Sequence, residues 1–249
     1  MDGLQAFGVA VVFVLAGGVK GITGMGLPTV AVSLLGLWMA PTQAAALLVA
    51  PSLATNVAQC RGPHWRRLLA THWPAWLMLA IVTVWAPEVS DAPSPVDAHR
   101  LLGAVLVMYG LWGLWRPELA DRPVPARWVG ATAGAIAGAI TGFVTAATAV
   151  FVMPLVPYLQ QAVRLDRDAM VQALGLSFTV ATLALALRLQ ASEGPAPLLS
   201  AQSALALAAA FVGLGLGTRV RTRISRPAFQ RALSIVFVGL GVANLWRGS

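Results

Sequence analysis

The sequence predicts an all-α integral membrane protein made of two inverted repeats, each opening with a broken or re-entrant helix. Three observations carry that expectation: composition, the sidedness of the basic residues, and an echo between the two halves. The chain has 249 residues, of which 58% are hydrophobic and 10% charged, and its mean hydropathy is +0.76. Soluble chains average about 45–50% apolar and about 25% charged. A water-facing shell cannot be built from so few charges. The apolar stretches are continuous rather than alternating, so helices, not barrel strands, satisfy the backbone in lipid. This excludes a large soluble domain, a nucleotide-driven motor domain and an outer-membrane barrel.

Ten apolar runs can be marked, at 4–19, 24–39, 42–59, 68–87, 101–115, 128–141, 146–160, 169–187, 198–217 and 228–246. Apart from Arg231, none contains a charge. A span needs roughly 20 apolar residues, so the chain holds about 8–10 such segments and little else. Runs of about 15 residues reach only about 22 Å. The first two and the sixth and seventh are therefore expected to be broken or re-entrant. The opening Met1-Asp2-Gly3-Leu4 has no basic stretch, and no small-residue cleavage site follows, so it reads as a retained segment.

The formal charge is +8, which in a soluble protein would suggest nucleic acid. Its placement argues otherwise. With the loop around 61–67 on the cytoplasmic side and strict alternation from there, one side receives Lys20 and the arginines at 61, 66, 67, 116, 122, 127, 164, 167, 219, 221, 223, 226 and 231. Only Arg100, Arg188 and Arg247 fall on the other, together with the acidic, proline-rich loop from Glu88 to Asp97. That bias is a positive-inside signal, so the expected partner is the lipid bilayer and not nucleic acid. Both termini come out non-cytoplasmic. Trp38, Trp73, Trp76, Trp85, Trp112, Trp115, Trp128 and Trp246 read as interfacial, with Trp65 in a loop.

The chain divides at a polar stretch into a first repeat (1–115), a cytoplasmic linker (116–127) and a second repeat (128–249). Gly17-Gly18-Val19-Lys20-Gly21-Ile22-Thr23-Gly24 is echoed by Gly134 to Gly142, and Ser52-Leu53-Ala54-Thr55 by Ser177-Phe178-Thr179-Val180, about 125 residues later. Equivalent connectors (61–67 and 188–197) fall on opposite faces, as an odd number of spans per half requires. Inverted repeats with interrupted helices place a solute site where the halves meet. The ladder Gly130, Gly134, Gly138 and Gly142 reads as a helix-packing face, within one chain or between two, so a homo-oligomer stays open.

The candidate site begins at the first break, Lys20 to Thr29. Gly21, Gly24 and Gly26 permit an unwound backbone, and Pro28 suits the first turn of a new helix. The N-terminus of that half-helix is a ready anion site. Lys20, Thr23, Gly24 and Gly26 are the binding candidates there. Lys20 reads either as the cation that holds an anion or as a lysine snorkelling to the headgroups. In the third run, Pro51 frees the carbonyl of Leu47, and Ser52, Thr55 and Asn56 lie within about one turn. They read as solute lining or as helix–helix hydrogen bonds, with Gln59 following. The second copy offers Thr141, Thr145, Thr148, Gln172, Ser177 and Thr179. Ser52, Asn56, Thr141, Thr145 and Ser177 complete the expected site.

No Asp or Glu lies within an apolar run, so a carboxylate relay or sodium cage is not expected. His64, His72 and His99 read as interfacial. The single Cys60 excludes an intrachain disulfide. No His-Glu-x-x-His occurs, and Gly175-Leu176-Ser177-Phe178 lacks the second glycine of a nucleophile elbow. Neither an enzyme, nor a metal site, nor a cofactor is expected.

With the glycine break, Pro28 and the Pro51-to-Asn56 stretch in view, the chain resembles the sulfite exporter TauE/SafE family of bacterial inner-membrane proteins, over essentially its whole length. The resemblance implies export of a small anionic solute, sulfite or an organosulfonate, across the plasma membrane by a multi-pass protein. Gly21 to Pro28 and Ser52 to Asn56 correspond to the family's repeat motif, with Thr141-Gly142 and Ser177 in its second copy. Phe143 to Val152 departs from that pattern, with no glycine cluster and no proline before Pro154. A less open second half-helix is expected. The mechanism expected is alternating access. A carrier of another small solute, such as a carboxylate, and a non-transporting scaffold are the alternative readings.

Overall fold

The computed structural model describes residues 3–86, 95–115, 127–151, 154–162, 167–193, 200–220, 223 and 226–247. Among these residues there are ten helices and no strand: α1 (Gly3–Thr23), α2 (Leu27–Leu35), α3 (Pro41–Cys60), α4 (Trp65–Trp85), α5 (Pro95–Trp115), α6 (Arg127–Thr148), α7 (Leu155–Ala162), α8 (Arg167–Glu193), α9 (Ala201–Val220) and α10 (Arg226–Arg247). Most of the Glu88–Asp97 loop and of the linker, with Arg122, Arg164 and Arg221, lie outside the described residues.

Five of the helices are long and apolar enough to cross a membrane: α1, α4, α6 from Gly130, α8 from Ala169 to Ala191, and α9. This is an all-α, multi-pass membrane architecture. One expectation needs correction. The runs 4–19 and 128–141 are not short, because each helix continues through polar residues. Lys20 and Thr23 belong to α1, and Thr141, Thr145 and Thr148 to α6. The threonines bond carbonyls one turn back, as Thr141 does to Ala137 at 2.7 Å and Thr148 to Val144 at 2.7 Å, so hydroxyls ride the helix without breaking it. Only α2 and α7 are half-helices. At nine and eight residues they reach only about 13 Å and 12 Å.

Each outer helix separates two stripes. On α1, Leu4, Phe7, Val11 and Leu15 are exposed, while Val9, Phe13, Ala16 and Lys20 are buried; both sets recur at helical spacing. In lipid the first stripe meets acyl chains, so it carries no penalty. Helix α8 is the most enclosed of the spanning helices, and α3 packs along it.

The remaining packing is pairwise. Helix α1 lies on α9, α4 on α6, α5 on α10, α3 on α8 and on α9, and α4 on α8. Glycines set the closest of these approaches. A methyl group on Gly17 would strike the carbonyl of Ala210, and one on Gly138 the carbonyl of Ala75. In hydrocarbon, where apolar surface gives no drive for helix association, backbone approach of this kind supplies it. The expected ladder is thus partly a packing face: Gly138 and Gly142 meet α4, Gly134 meets Tyr158, and Gly130 meets nothing.

Directions follow from the contacts. Gly138 meets Ala75 and Gly142 meets Leu79, so α6 and α4 run parallel; Gly17 on Ala210 and Gly21 on Leu214 make α1 and α9 parallel too. By contrast Asn56 meets Thr182 and Cys60 meets Gln172, so α3 and α8 are antiparallel. Gly103 on Gly241 and Gly110 on Ser234 make α5 and α10 antiparallel as well.

Candidate functional site

The first break is a short, pinned piece of backbone. Gly24 and Gly26 sit at φ +84° and +97°, a region in which a Cβ would be strained. Thr23 closes the end of α1: its hydroxyl lies 2.9 Å from the Val19 carbonyl and accepts the Met25 N–H at 3.1 Å. The Gly24 carbonyl accepts from Gln59 Nε2 at 2.8 Å, tying the break to α3. Helix α2 then starts with Gly26 as N-cap and Pro28 in its first turn, and no side chain caps it. Its first N–H groups therefore have neither an intrahelical partner nor a side-chain cap.

Beside that break lies Lys20, 1% exposed. It does not reach headgroups; its ammonium donates to Asn56 Oδ1. Asn56 in turn donates from Nδ2 to Thr182 Oγ1 at 3.4 Å, across the α3·α8 crossing. The lysine thus has a neutral partner. Asp168, at the start of α8, is fourteen residues from Thr182, or about 21 Å along the helix.

Among the described residues, two buried hydroxyls of α2 and α3 have no hydrogen-bond partner: Ser52 Oγ, one turn before Asn56, and Thr29 Oγ1, in the first turn of α2. Buried hydroxyls are nearly always bonded, and these two lie on helices that pack together.

The second break has different chemistry. Ala149 takes the left-handed conformation at φ +57°, where the first break has Gly24. Thr141 Oγ1 accepts the N–H of Leu155 at 3.0 Å, so the chain caps α7 itself. Thr145, four residues before Ala149 as Lys20 is before Gly24, donates to the Thr141 carbonyl at 2.7 Å. Ser177 accepts from Trp76 Nε1 at 2.8 Å and donates to the Ala173 carbonyl at 2.7 Å.

The expected site residues therefore separate into groups. Lys20, Thr23, Gly24, Gly26, Ser52 and Asn56 belong to the first break and the α3 segment against it. Thr141 and Thr145 belong to the second break, and Ser177 to the α4·α8 contact; all three hydroxyls are already bonded within the chain.

Three residues escaped the sequence reading. Thr29 sits in the first turn of the expected half-helix and was passed over for the glycines before it. Thr182 has no local signal, since it matters only through a helix 126 positions away. His72, expected at the interface, is 2% exposed with both ring nitrogens unpartnered, because α4 begins at Trp65 rather than in the following turn. For the same reason Trp76 is core, not interfacial, and Trp65 lies in the helix, its ring 5.2 Å from the Arg66 guanidinium.

No curated protein and no solved structure matches the chain. A family model described as Sulfite exporter TauE/SafE matches residues 9–244. That match takes in both breaks, Lys20, the α3 polar stretch and their second-half counterparts. The chain belongs to the TauE/SafE sulfite-exporter family of membrane transporters.

Proposed function

We propose that this chain exports a small anion of the sulfite or organosulfonate class across the bacterial inner membrane by alternating access. One observation carries the reading: a fully buried lysine whose partner among the described residues is neutral, together with two orphaned hydroxyls and the uncapped N-terminus of α2. Isolated buried charge is costly and buried hydroxyls seek partners. A small oxyanion supplies both at once, with its charge for Lys20 and its oxygens for Ser52, Thr29 and the N–H groups of α2. Asn56 and Thr182 then position the ammonium.

The two halves are inverted copies that rock about this centre. Their corresponding helices α3 and α8, and α5 and α10, run antiparallel in contact, and the pairing α1·α9 corresponds to α6·α4, as such a relation demands. In the frame set by the basic residues, the 61–64 connector faces the cytoplasm and the termini face away. Export needs no carboxylate relay. With the cytoplasm negative, moving one negative charge outward releases roughly 2.3 kcal/mol per 100 mV.

The test is radiolabelled sulfite and sulfonate efflux from proteoliposomes under an imposed potential. Flux should rise with an outward-positive voltage; voltage-independent flux overturns potential-driven export. A panel including a dicarboxylate separates this reading from a carrier of another solute. A scaffold predicts no solute-dependent thermal stabilisation of the purified protein.

A further inference from the structure

At the end of the bundle where α1, α3 and α9 begin, a cavity of about 490 Å³ opens, with Val9, Leu47 and Ser203 among its walls. Each of these three has a counterpart in the other half. The left-handed residues Gly24 and Ala149 of the two breaks set the register; in it Gly142, on the Leu79 carbonyl at 2.7 Å, matches Gly17, on that of Ala210, rather than Gly24 as the sequence echo suggested. Seven residues before Leu79 stands His72, and seven before Ala210 stands Ser203. Val9 lies eight residues before Gly17, and Gly134 eight before Gly142; Leu47 lies five before Ser52, and Gln172 five before Ser177.

The counterpart of the cavity is filled. Tyr158 occupies it, its hydroxyl donating to the Gly130 carbonyl at 2.8 Å and so close to Gly134 that a Cβ there would lie 2.7 Å from the phenol oxygen. The ring stands edge-on to His72 at 6.1 Å, and the Trp76 ring, one turn further along α4, lies 6.1 Å from that of His72. Gln172 ties the connector shut, donating to the carbonyls of Cys60 and Gly62 and accepting from the His64 N–H. Behind Tyr158, both nitrogens of His72 are buried and face no partner.

We infer that a second oxyanion subsite lies at the 61–64 end of the bundle, built on His72 and covered by Tyr158. It rests on the reading of the halves as inverted copies about one path. A buried imidazole with no partner is a group that gains one in another arrangement of the molecule. When Tyr158 leaves Gly134, His72 stands at the mouth of a vestibule that mirrors the open one, and offers a ring N–H to an entering anion before it reaches Lys20.

The test uses the full chain in proteoliposomes, in a Cys60→Ser background that removes its one thiol. With His72→Cys added, a membrane-impermeant thiol reagent should label slowly from the 61–64 face. Tyr158→Ala should speed that labelling about tenfold by releasing the cover. In sulfite flux, His72→Phe should raise KM about tenfold at the 61–64 face and leave KM at the opposite face unchanged, while His72→Gln, which still donates, stays within about threefold of the parent.

Labelling indifferent to Tyr158→Ala, labelling equal from both faces, or a His72→Phe protein with parental KM at both faces would overturn the inference. If His72→Phe does not fold, the labelling arm and His72→Gln decide. A parent protein that carries no sulfite refutes the export reading instead; thermal stabilisation by methanesulfonate that shrinks in His72→Phe then still reads the subsite, and equal stabilisation of the two overturns it.

Discussion

The two helix breaks each separate a long helix from a half-helix, yet one is left open and the other is closed by its own side chains. At Gly24–Gly26 the backbone turns on two glycines, α2 has no side-chain cap, and a buried ammonium stands one turn before the break. At Ala149–Phe151 an alanine takes the strained turn, Thr141 caps α7, and Thr145 holds the place of the lysine. Ser52 has no partner, whereas its mate Ser177 holds the indole of Trp76. The same backbone device is thus braced by its own side chains at one break and left with unpartnered polar groups at the other, among the described residues.

The largest expected effect lies at the residue that has no mate. Lys20→Met should lower sulfite kcat/KM by about 100-fold, the loss of a buried charge-assisted contact of up to about 3 kcal/mol. Helix content by circular dichroism should stay parental; flux within threefold of parent would show that the open break binds nothing through its cation. The serine pair comes next, since it sets binding against bracing. Ser177→Ala strips the Trp76 N–H of its acceptor and should destabilise by about 1–3 kcal/mol, whereas Ser52→Ala removes an orphan and should leave stability unchanged or higher. Unfolding in detergent measures the first effect, and sulfite KM, raised only in Ser52→Ala, the second.

The threonines sharpen the same contrast. Thr141→Val should cost about 1 kcal/mol by uncapping α7. Thr29→Val, the nearest isostere of an unbonded hydroxyl, should cost nothing in stability and raise KM about fivefold. Equal stability losses would mean that Thr29 is bonded after all. Smallest is the strain at the turns. Ala149→Gly should gain up to about 1 kcal/mol by relieving a left-handed alanine, and Gly24→Ala should lose about 1–2 kcal/mol by creating one.

Much of the fold was legible because its causes are local. Apolar runs marked the helices, and two glycines with Pro28 marked the first break. The second break carried no such signal: Ala149 turns there because Thr145, Thr148 and Thr141 bond the backbone around it, which no count of glycines reveals. For Lys20 burial removes the snorkelling alternative, and His72, expected at the interface, is buried as well. Lys20 looked like a segment end and His72 like a loop neighbour, since a position in a run says nothing about which way a side chain points. Only tertiary packing gave Lys20, on α1, its partner Asn56 on α3, and the crossing of α3 with α8 gave Asn56 its partner Thr182.

The amino-acid sequence alone determined that this chain lives in a bilayer as helices and where its first helix must unwind, because backbone hydrogen bonds in hydrocarbon close within a few residues and glycine acts at its own position. Tertiary structure decided which polar groups are satisfied and which are left without a partner. That outcome belongs to pairs of side chains 36 to 126 residues apart, brought within reach by glycines that let the helix backbones touch.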